Sequence, residues 1–331
     1  MTGQTFNALM LREEDGKTIA RVETLGFDAL PREDTLVKID YSTINFKDAL
    51  AVTGKGKIVR TWPLVPGIDF SGEIIETSNP DLRAGQKVVL TGWSVGEKYW
   101  GGYSQYQRVR GEWLVPLPEA ITTRQAMMIG TAGFTAMLCV NALEDAGIAP
   151  ASGQVLVTGA SGGVGSVAVA ILSKLGYEVC ALTRNEQKHE YVRSLGAKSF
   201  ADGPRWAEPP RALEAQNWAA AIDTVGSKVL ARVLAEMNYN GVVAACGLAG
   251  GADLPTTVMP FILRGVRLIG VDSVMLPSKD RIDAWNRIVD DLPAALLDGI
   301  AAKTVRLDEV SAAAEAMLAG QLKGRVLVDV N

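Results

Sequence analysis

VLVTGASGGVGSVAV, residues 155–169, is an apolar run, a knot of glycines and a second apolar run. The first run reads as a strand and the second as an amphipathic helix. Between them, Gly159, Gly162 and Gly165 recur every third residue. Glycine lets the chain turn sharply there and lets its backbone approach a diphosphate, whose charge meets free N–H groups and the positive end of the helix. A glycine cluster alone marks any tight strand-to-helix turn. With strand and helix on either side and the same rhythm continuing afterwards, it predicts dinucleotide binding at Ser161, Gly162, Gly163 and Val164.

The rhythm runs through YEVCALT, QKHEYVRSLGA, KSFAD, WAAAIDTVG, KVLARVLAEMNYNG, GVVAACG, FILRGVR and LIGVDSV. Apolar strands alternating with helices predict an α/β, doubly wound parallel sheet. Upstream, short strands such as ALMLRE, LVKIDYSTI and QKVVLTG are punctuated by Gly and Pro about every ten residues, which predicts a compact barrel-like β domain. A long helix over TTRQAMMIGTAGFTAMLCVNALEDAG joins the two. The tail reads as the helices DRIDAWNRIVDDLPAAL and EVSAAAEAMLAG and the strand GRVLVDV, expected to return to the first domain's sheet. The domains are therefore placed at 1–122, 123–277 and 278–331, the last returning to the first.

The strand after the glycine loop selects the dinucleotide. NAD calls for an acidic residue about twenty residues beyond the glycines, to accept the ribose hydroxyls. Arg184 stands 19 residues past Gly165. With Thr183 and Asn185 beside it, and Lys188 further on, it could bind a 2′-phosphate by charge-assisted hydrogen bonds. NADPH is the expected cofactor. Two alternatives stay open: that Arg184 and Lys188 are solvated charges, and that Glu186 is the acid.

At 331 residues the chain is long enough for two cores. Its apolar fraction of 48% and charged fraction of 21% are those of a globular protein. A net charge of −4 gives no reason to approach nucleic acid or an anionic membrane, so a small-molecule partner is expected. The N-terminal stretch has no basic-then-apolar leader pattern and no segment holds about 18 uninterrupted apolar residues, so a cytoplasmic location is expected. Cys139, Cys180 and Cys246 lack paired spacing and sit in apolar runs, which reads as packing. The one histidine, His189, reads as an exposed helical residue, or one near the cofactor.

GASGGVG, IGTAGFTAMLC, INFKD, VPGIDFSG, TGKGK, LTGWSVGE, NYNGVVAACGLAGG and LPTTVMPFILRGVRLIGVDSV together resemble the medium-chain dehydrogenase/reductase superfamily. More narrowly they resemble its zinc-free, quinone-oxidoreductase-like subfamily, in the acrylyl-CoA reductase branch. The resemblance implies a Rossmann-type doubly wound domain plus a GroES-like β-barrel catalytic domain. Where the family's alcohol dehydrogenases carry catalytic zinc ligands this chain has Asn45, Ile68 and Asp69, and the four cysteines of a structural zinc are missing. Thiolate and imidazole are the ligands such sites need, so no metal site is carried over.

Without a Lewis acid, an activated double bond is a better acceptor than a carbonyl. In an α,β-unsaturated thioester the β-carbon is electrophilic; hydride adds there and leaves an enolate that needs hydrogen-bond donors and a proton. Asn45 could orient nicotinamide or substrate, or be a turn residue bonding its own backbone. Phe46 could wall the nicotinamide or belong to the core. Asp48 is a candidate catalytic group or, alternatively, a hydrogen-bond anchor for its segment. Water, Lys47 and Tyr103 are the candidate proton donors.

The resemblance also implies cofactor contacts at Leu248, Ile262 and Ser273; for the first two, core packing is the competing reading. Thr131 could bond near the nicotinamide amide, and Arg325 could reach a phosphate. Lys55, Lys57 and Arg60 form a basic patch that could engage the phosphates of a CoA thioester, or be an ordinary solvated loop. The expected reaction is NADPH-dependent reduction of a short enoyl-CoA, acrylyl-CoA to propionyl-CoA. Quinone or enone reduction is the alternative, and non-catalytic NADPH binding a third reading. A homodimer is expected from the family, with LIGVDSVML as a candidate edge strand, although an internal strand would read the same.

Overall fold

The computed structural model describes residues 3–201 and 203–331. The chain opens with β1 (Thr5–Glu14), β2 (Lys17–Gly26), β3 (Thr35–Thr43), α1 (Phe46–Thr53), β4 (Asp69–Thr77), β5 (Lys87–Thr91), β6 (Tyr106–Val109) and β7 (Val115–Pro116). After α2 (Thr123–Asp145) it alternates through β8 (Val155–Thr158), α3 (Gly163–Lys174), β9 (Val179–Leu182), α4 (His189–Ser194), β10 (Ser199–Phe200), β11 (Trp218–Asp223), α5 (Ser227–Ala235), β12 (Met237–Ala245), α6 (Met259–Arg264) and β13 (Arg267–Gly270). The tail supplies α7 (Ser278–Asp291), α8 (Ala294–Ile300), β14 (Ala301–Arg306), α9 (Val310–Leu318) and β15 (Arg325–Asp329).

Contacts divide the chain into two units. One comprises Met1–Thr131, Ser273–Val289 and Leu297–Asn331; the other comprises Ala132–Asp272 and Asp290–Leu296. The sequence reading had placed the breaks at 122/123 and 277/278.

In the first unit, seven strands form a mixed sheet in the order β14-β15-β3-β4-β5-β7, with β6 paired to β3, and β1 and β2 form a separate hairpin. The C-terminal strand β15 pairs antiparallel with β3, setting Leu327 opposite Thr43. Leu36, Ile39, Phe70, Ile74, Val326 and Val328 are buried together in one core.

The second unit holds six strands in the order β10-β9-β8-β11-β12-β13. Every pairing in this sheet is parallel. By appearance in the chain the order is third, second, first, fourth, fifth, sixth, the Rossmann arrangement. The strand order reverses between β8 and β11, and the glycine loop leaves the C-terminal end of β8 at that reversal. Ligands of open α/β sheets bind in the crevice there.

Two helices read as continuous are broken. In α2, Gly130 takes φ 53° and ψ −163°, so two helical segments meet at a non-helical residue. A Cβ at that position would stand 2.4 Å from Arg325 Nη2 and 3.0 Å from Asp69 Oδ2, so the site admits only glycine. The helix has the length and hydropathy of a membrane span, but most of it is buried in the protein. In the tail, Pro293 lacks the N–H a helix needs and separates α7 from α8.

Candidate active site and cofactor cradle

In the first unit a polar cluster is buried where three strands and a helix start converge. Asn45 precedes α1 in extended conformation, at φ −102° and ψ 162°. Asp48, at the third helical position, accepts the Asn45 backbone N–H at 2.9 Å and so caps the helix. The same oxygen accepts from Asn45 Nδ2 at 3.1 Å, and the other accepts the Ile68 N–H at 2.9 Å. Asp48 is thus a hydrogen-bond anchor tying α1 to the strand that begins at Asp69. Complete burial, reinforced by the charge of Asp69, pushes its carboxyl up to about 7, against the lowering pull of those N–H groups.

Asp69, wholly buried, accepts three hydrogen bonds and faces one cation. Thr43 Oγ1 donates to Oδ1 at 2.7 Å, while Asn45 Nδ2 and the Thr131 backbone N–H donate to Oδ2 at 2.9 and 2.8 Å. The Arg325 guanidinium faces the same oxygen at 3.7 Å. Arg325 Nη1 donates to Asn45 Oδ1 at 3.0 Å and Nη2 to Thr43 Oγ1 at 2.7 Å. Both arms therefore run from cation to anion: Arg325 to Thr43 to Asp69, and Arg325 to Asn45 to Asp69. Such aligned donors polarise one another in the same sense.

This geometry decides several sequence expectations. Asn45 is only 8% exposed and both ends of its amide are engaged by protein groups. Thr131 joins the cluster through its backbone N–H. Arg325, expected at a phosphate, is instead 2% exposed and bonded to Asn45, because a guanidinium facing the buried Asp69 carboxylate is held there by it. Tyr103 is fully buried and donates its hydroxyl to the Thr43 carbonyl at 3.0 Å. Burial, with the charges of Asp48 and Asp69, raises its pKa far above the usual phenol range, so it holds its proton. Lys47 pairs with Glu97 at 2.7 Å. Phe46 is 39% exposed and is not a core residue.

Of the basic patch, Lys55 is ion-paired with Glu315, whereas Lys57 and Arg60 are exposed. Ser273 lies in this unit too, half-buried, its carbonyl accepting from Arg281 at 3.3 Å. Asp69 and Thr43 were not picked out as site residues. A carboxylate inside the apolar run PLVPGIDF was the available signal, since a buried anion requires a cation somewhere in the chain.

In the second unit, Gly162 caps α3 in extended conformation, and Gly163 and Val164 form its first turn. Gly159 has φ 60°, and a Cβ there would strike Thr224 Oγ1 at 2.2 Å. A Cβ on Gly165 would lie 2.3 Å from the Gly159 carbonyl. At Gly162 the nearest atom would be 3.2 Å away, so the loop's outer side is open where its inner side is full. Beside it the Ser161 and Thr183 hydroxyls, both 8% exposed, bond each other at 3.0 Å. Arg184 and Asn185 follow on the exposed side, where the Asn185 carboxamide caps the next turn by accepting the Gln187 N–H at 3.0 Å.

Leu248 and Ile262 are 57% and 71% exposed, which removes the core-packing reading for both. His189 is half-buried rather than exposed, its ring stacked on Phe200 at 3.9 Å. Cys246 is only partly buried, and its thiol meets the Asp223 carbonyl at 3.5 Å. Among the described residues no three His, Cys, Asp or Glu side chains group as a metal site would.

Residues 31–119 match the alcohol dehydrogenase GroES-like domain family, and residues 163–290 the zinc-binding dehydrogenase family. The chain is 58% identical over 326 residues to the protein named "Probable acrylyl-CoA reductase AcuI" of Escherichia coli strain K12, covering 98% of this chain and 100% of that one. It is 52% identical over 329 residues to "Acrylyl-CoA reductase AcuI" of Ruegeria pomeroyi, covering 98% and 99%. The solved structure of E. coli K-12 YhdH with bound NADPH superposes with a TM-score of 0.96 at 57% identity, covering 98% of this chain and 100% of that one. With a GroES-like domain, a Rossmann sheet and end-to-end identity to these relatives, the chain belongs to the medium-chain dehydrogenase/reductase superfamily, in its acrylyl-CoA reductase branch.

Proposed function

We propose that the protein uses NADPH to reduce the carbon–carbon double bond of a short enoyl-CoA, acrylyl-CoA to propionyl-CoA. The observation that carries this reading is the 58% identity, over essentially the whole chain, to a relative named for that reaction.

The cradle fits the cofactor. The open side of the Gly162 turn and the N-terminus of α3 offer N–H groups to a diphosphate. Thr183 and Arg184, just past β9, are the residues this reading assigns to the 2′-phosphate of the adenosine ribose. Once bound, NADPH supplies the hydride. The protein's own groups then have to orient the acceptor, place donors at the thioester oxygen and admit a proton to the α-carbon. Asn45 and Thr131 are the groups of the first unit's cluster that keep some exposure, and they form its working face. With the Tyr103 hydroxyl committed to Thr43 and Lys47 to Glu97, water is the proton source this reading favours.

Steady-state rates with acrylyl-CoA, crotonyl-CoA and a quinone, each with NADPH and NADH, test the reading. It expects NADPH consumption with acrylyl-CoA far above that with quinone. Faster quinone reduction overturns it in favour of the quinone reductase reading, and tight NADPH binding without turnover favours a binding protein.

The same reading includes a homodimer working in the cytoplasm. β13 is the outer strand of the six-stranded sheet, with Leu268 and Ile269 partly exposed. Val258 and Leu263 nearby in the chain are 64% and 49% exposed. An open strand edge flanked by apolar side chains favours a self-complementary pairing. Sedimentation should give a dimer that V258D with L263D converts to monomer; a monomeric parent protein refutes the pairing.

A further inference from the structure

The buried cluster of the first unit has one cation and two carboxylates. Arg325 is that cation, and it donates directly to two of the neutral groups around it. Its two Nη atoms end on different neutral groups, Asn45 Oδ1 and Thr43 Oγ1, and each of those hands a hydrogen bond on to Asp69. Asp69 in turn accepts the Thr131 N–H immediately after the break in α2. Cβ geometry at Gly130 places Arg325 Nη2, Asp69 Oδ2 and Thr43 Oγ1 around that break.

We propose that Arg325 is a positioning residue for the reduction: its guanidinium fixes which way the Asn45 carboxamide points and, through Asp69, where the Thr131 N–H is held. The assignment rests on the reductase reading above and deepens it.

A buried carboxylate is costly unless hydrogen bonds or a cation compensate it. The Asp48 carboxyl is raised to about 7 even with Arg325 in place; without Arg325 the buried charge of Asp69 loses the guanidinium that faces it, and a further proton in the pocket is favoured. A protonated carboxyl oxygen donates instead of accepting, so the bonds from Asn45 Nδ2 and Thr131 N–H would compete with a hydroxyl. Asn45 would also lose the donor that faces its Oδ1, leaving only the carboxylates on its Nδ2 side to tell the two ends of the amide apart. The guanidinium removes both ambiguities at once. Lysine could supply the charge, but as a point donor it does not reproduce the fork that engages Asn45 and Thr43 together.

The test compares the parent protein with R325M, R325K and R325A. In R325M, kcat with the thioester should fall about 100-fold, the loss expected when reacting groups are misplaced by about an ångström. The Kd for NADPH, read by fluorescence, should stay within about twofold, because this reading gives the diphosphate to the glycine turn and the 2′-phosphate to Thr183 and Arg184. R325K should fall between, and millimolar guanidinium should restore part of the R325A rate.

Independently of turnover, carboxyl infrared titration should show the cluster's apparent pKa raised by about one unit or more in R325M, and less in R325K. An R325M enzyme with parental kcat, or rate and NADPH binding lost together with no recovery by guanidinium in R325A, overturns the proposal. Should R325M fail to fold, R325K and the R325A rescue decide. If the parent protein does not reduce acrylyl-CoA, the reductase reading fails by itself. The infrared comparison then still tests the hold of Arg325 on the carboxylates, and an unshifted titration refutes it.

Discussion

The Thr158 hydroxyl donates to the Asp223 carboxylate at 2.7 Å, joining the C-terminal ends of β8 and β11 where the strand order reverses. The other Asp223 oxygen accepts the Gly226 N–H at 2.7 Å, and Thr158 Oγ1 also accepts the Thr224 N–H at 3.0 Å. Burial raises the Asp223 carboxyl above its ordinary pKa, and the hydrogen bonds from Thr158 and Gly226 work against that rise. The crevice where a dinucleotide would lie is therefore pinned at its floor by one hydroxyl.

Replacing that hydroxyl by a methyl group, T158V, leaves a buried carboxylate short of one donor at nearly constant volume. Stability should drop by about 1–3 kcal/mol, read from chemical denaturation. An unchanged midpoint would show that the strand ends do not depend on the bond.

The glycine loop gives a sharper steric prediction. In G165A the new methyl would lie 2.3 Å from the Gly159 carbonyl and 2.7 Å from Ala160 Cα, both backbone atoms that cannot swing away. The turn must open, so NADPH affinity should fall by about tenfold or more, with about 1–3 kcal/mol of stability lost. Retained affinity by isothermal calorimetry would mean that the cofactor does not lie on this turn.

Arg184 separates the two nicotinamides. R184A should weaken NADPH about 10- to 100-fold, the range for losing a charge-assisted hydrogen bond, while NADH binding changes little. Equal losses for both would return Arg184 to the status of a solvated charge.

Asp48 sets a pH signature. Its folded carboxyl is raised to about 7 against an ordinary 3.8, so between those values the folded protein binds more protons than the unfolded chain. Stability from this group is complete below the lower value and is lost as pH rises through the upper one. D48N should flatten the decline seen between about pH 4 and 7. A variant whose slope matches the parent assigns the decline elsewhere, Asp223 being the next candidate.

Extended dialysis against a strong chelator should leave turnover intact, since Asn45, Ile68 and Asp69 are not a zinc-binding set. A loss that added divalent ion restores would overturn the chemistry proposed.

Much of the architecture was readable because it is periodic and local. Strand, glycine turn and helix at 155–169 declare themselves within fifteen residues, and the βα rhythm that follows fixes a parallel sheet. The break at Gly130 was not readable, because its cause lies in the distant side chains of Asp69 and Arg325 that crowd the position. The site itself was half legible. Asn45 and Asp48 are neighbours in one segment, but the cation bonded to Asn45 is 280 residues away from it. Local pattern reveals that a residue is buried; it does not reveal which remote partner neutralises it. Leu248 and Ile262 illustrate the converse: apolar character suggested interior packing, whereas both face outward.

β15 brings the guanidinium into the sheet by pairing with β3, which lies almost a whole chain earlier. During synthesis every other member of the polar cluster leaves the ribosome long before its counter-ion does. Until β15 docks, Asp69 lacks the guanidinium that faces it, and the pocket it lines should stay solvated. Closure of the pocket is thereby tied to the docking of β15 on β3, a pairing between segments about 280 residues apart.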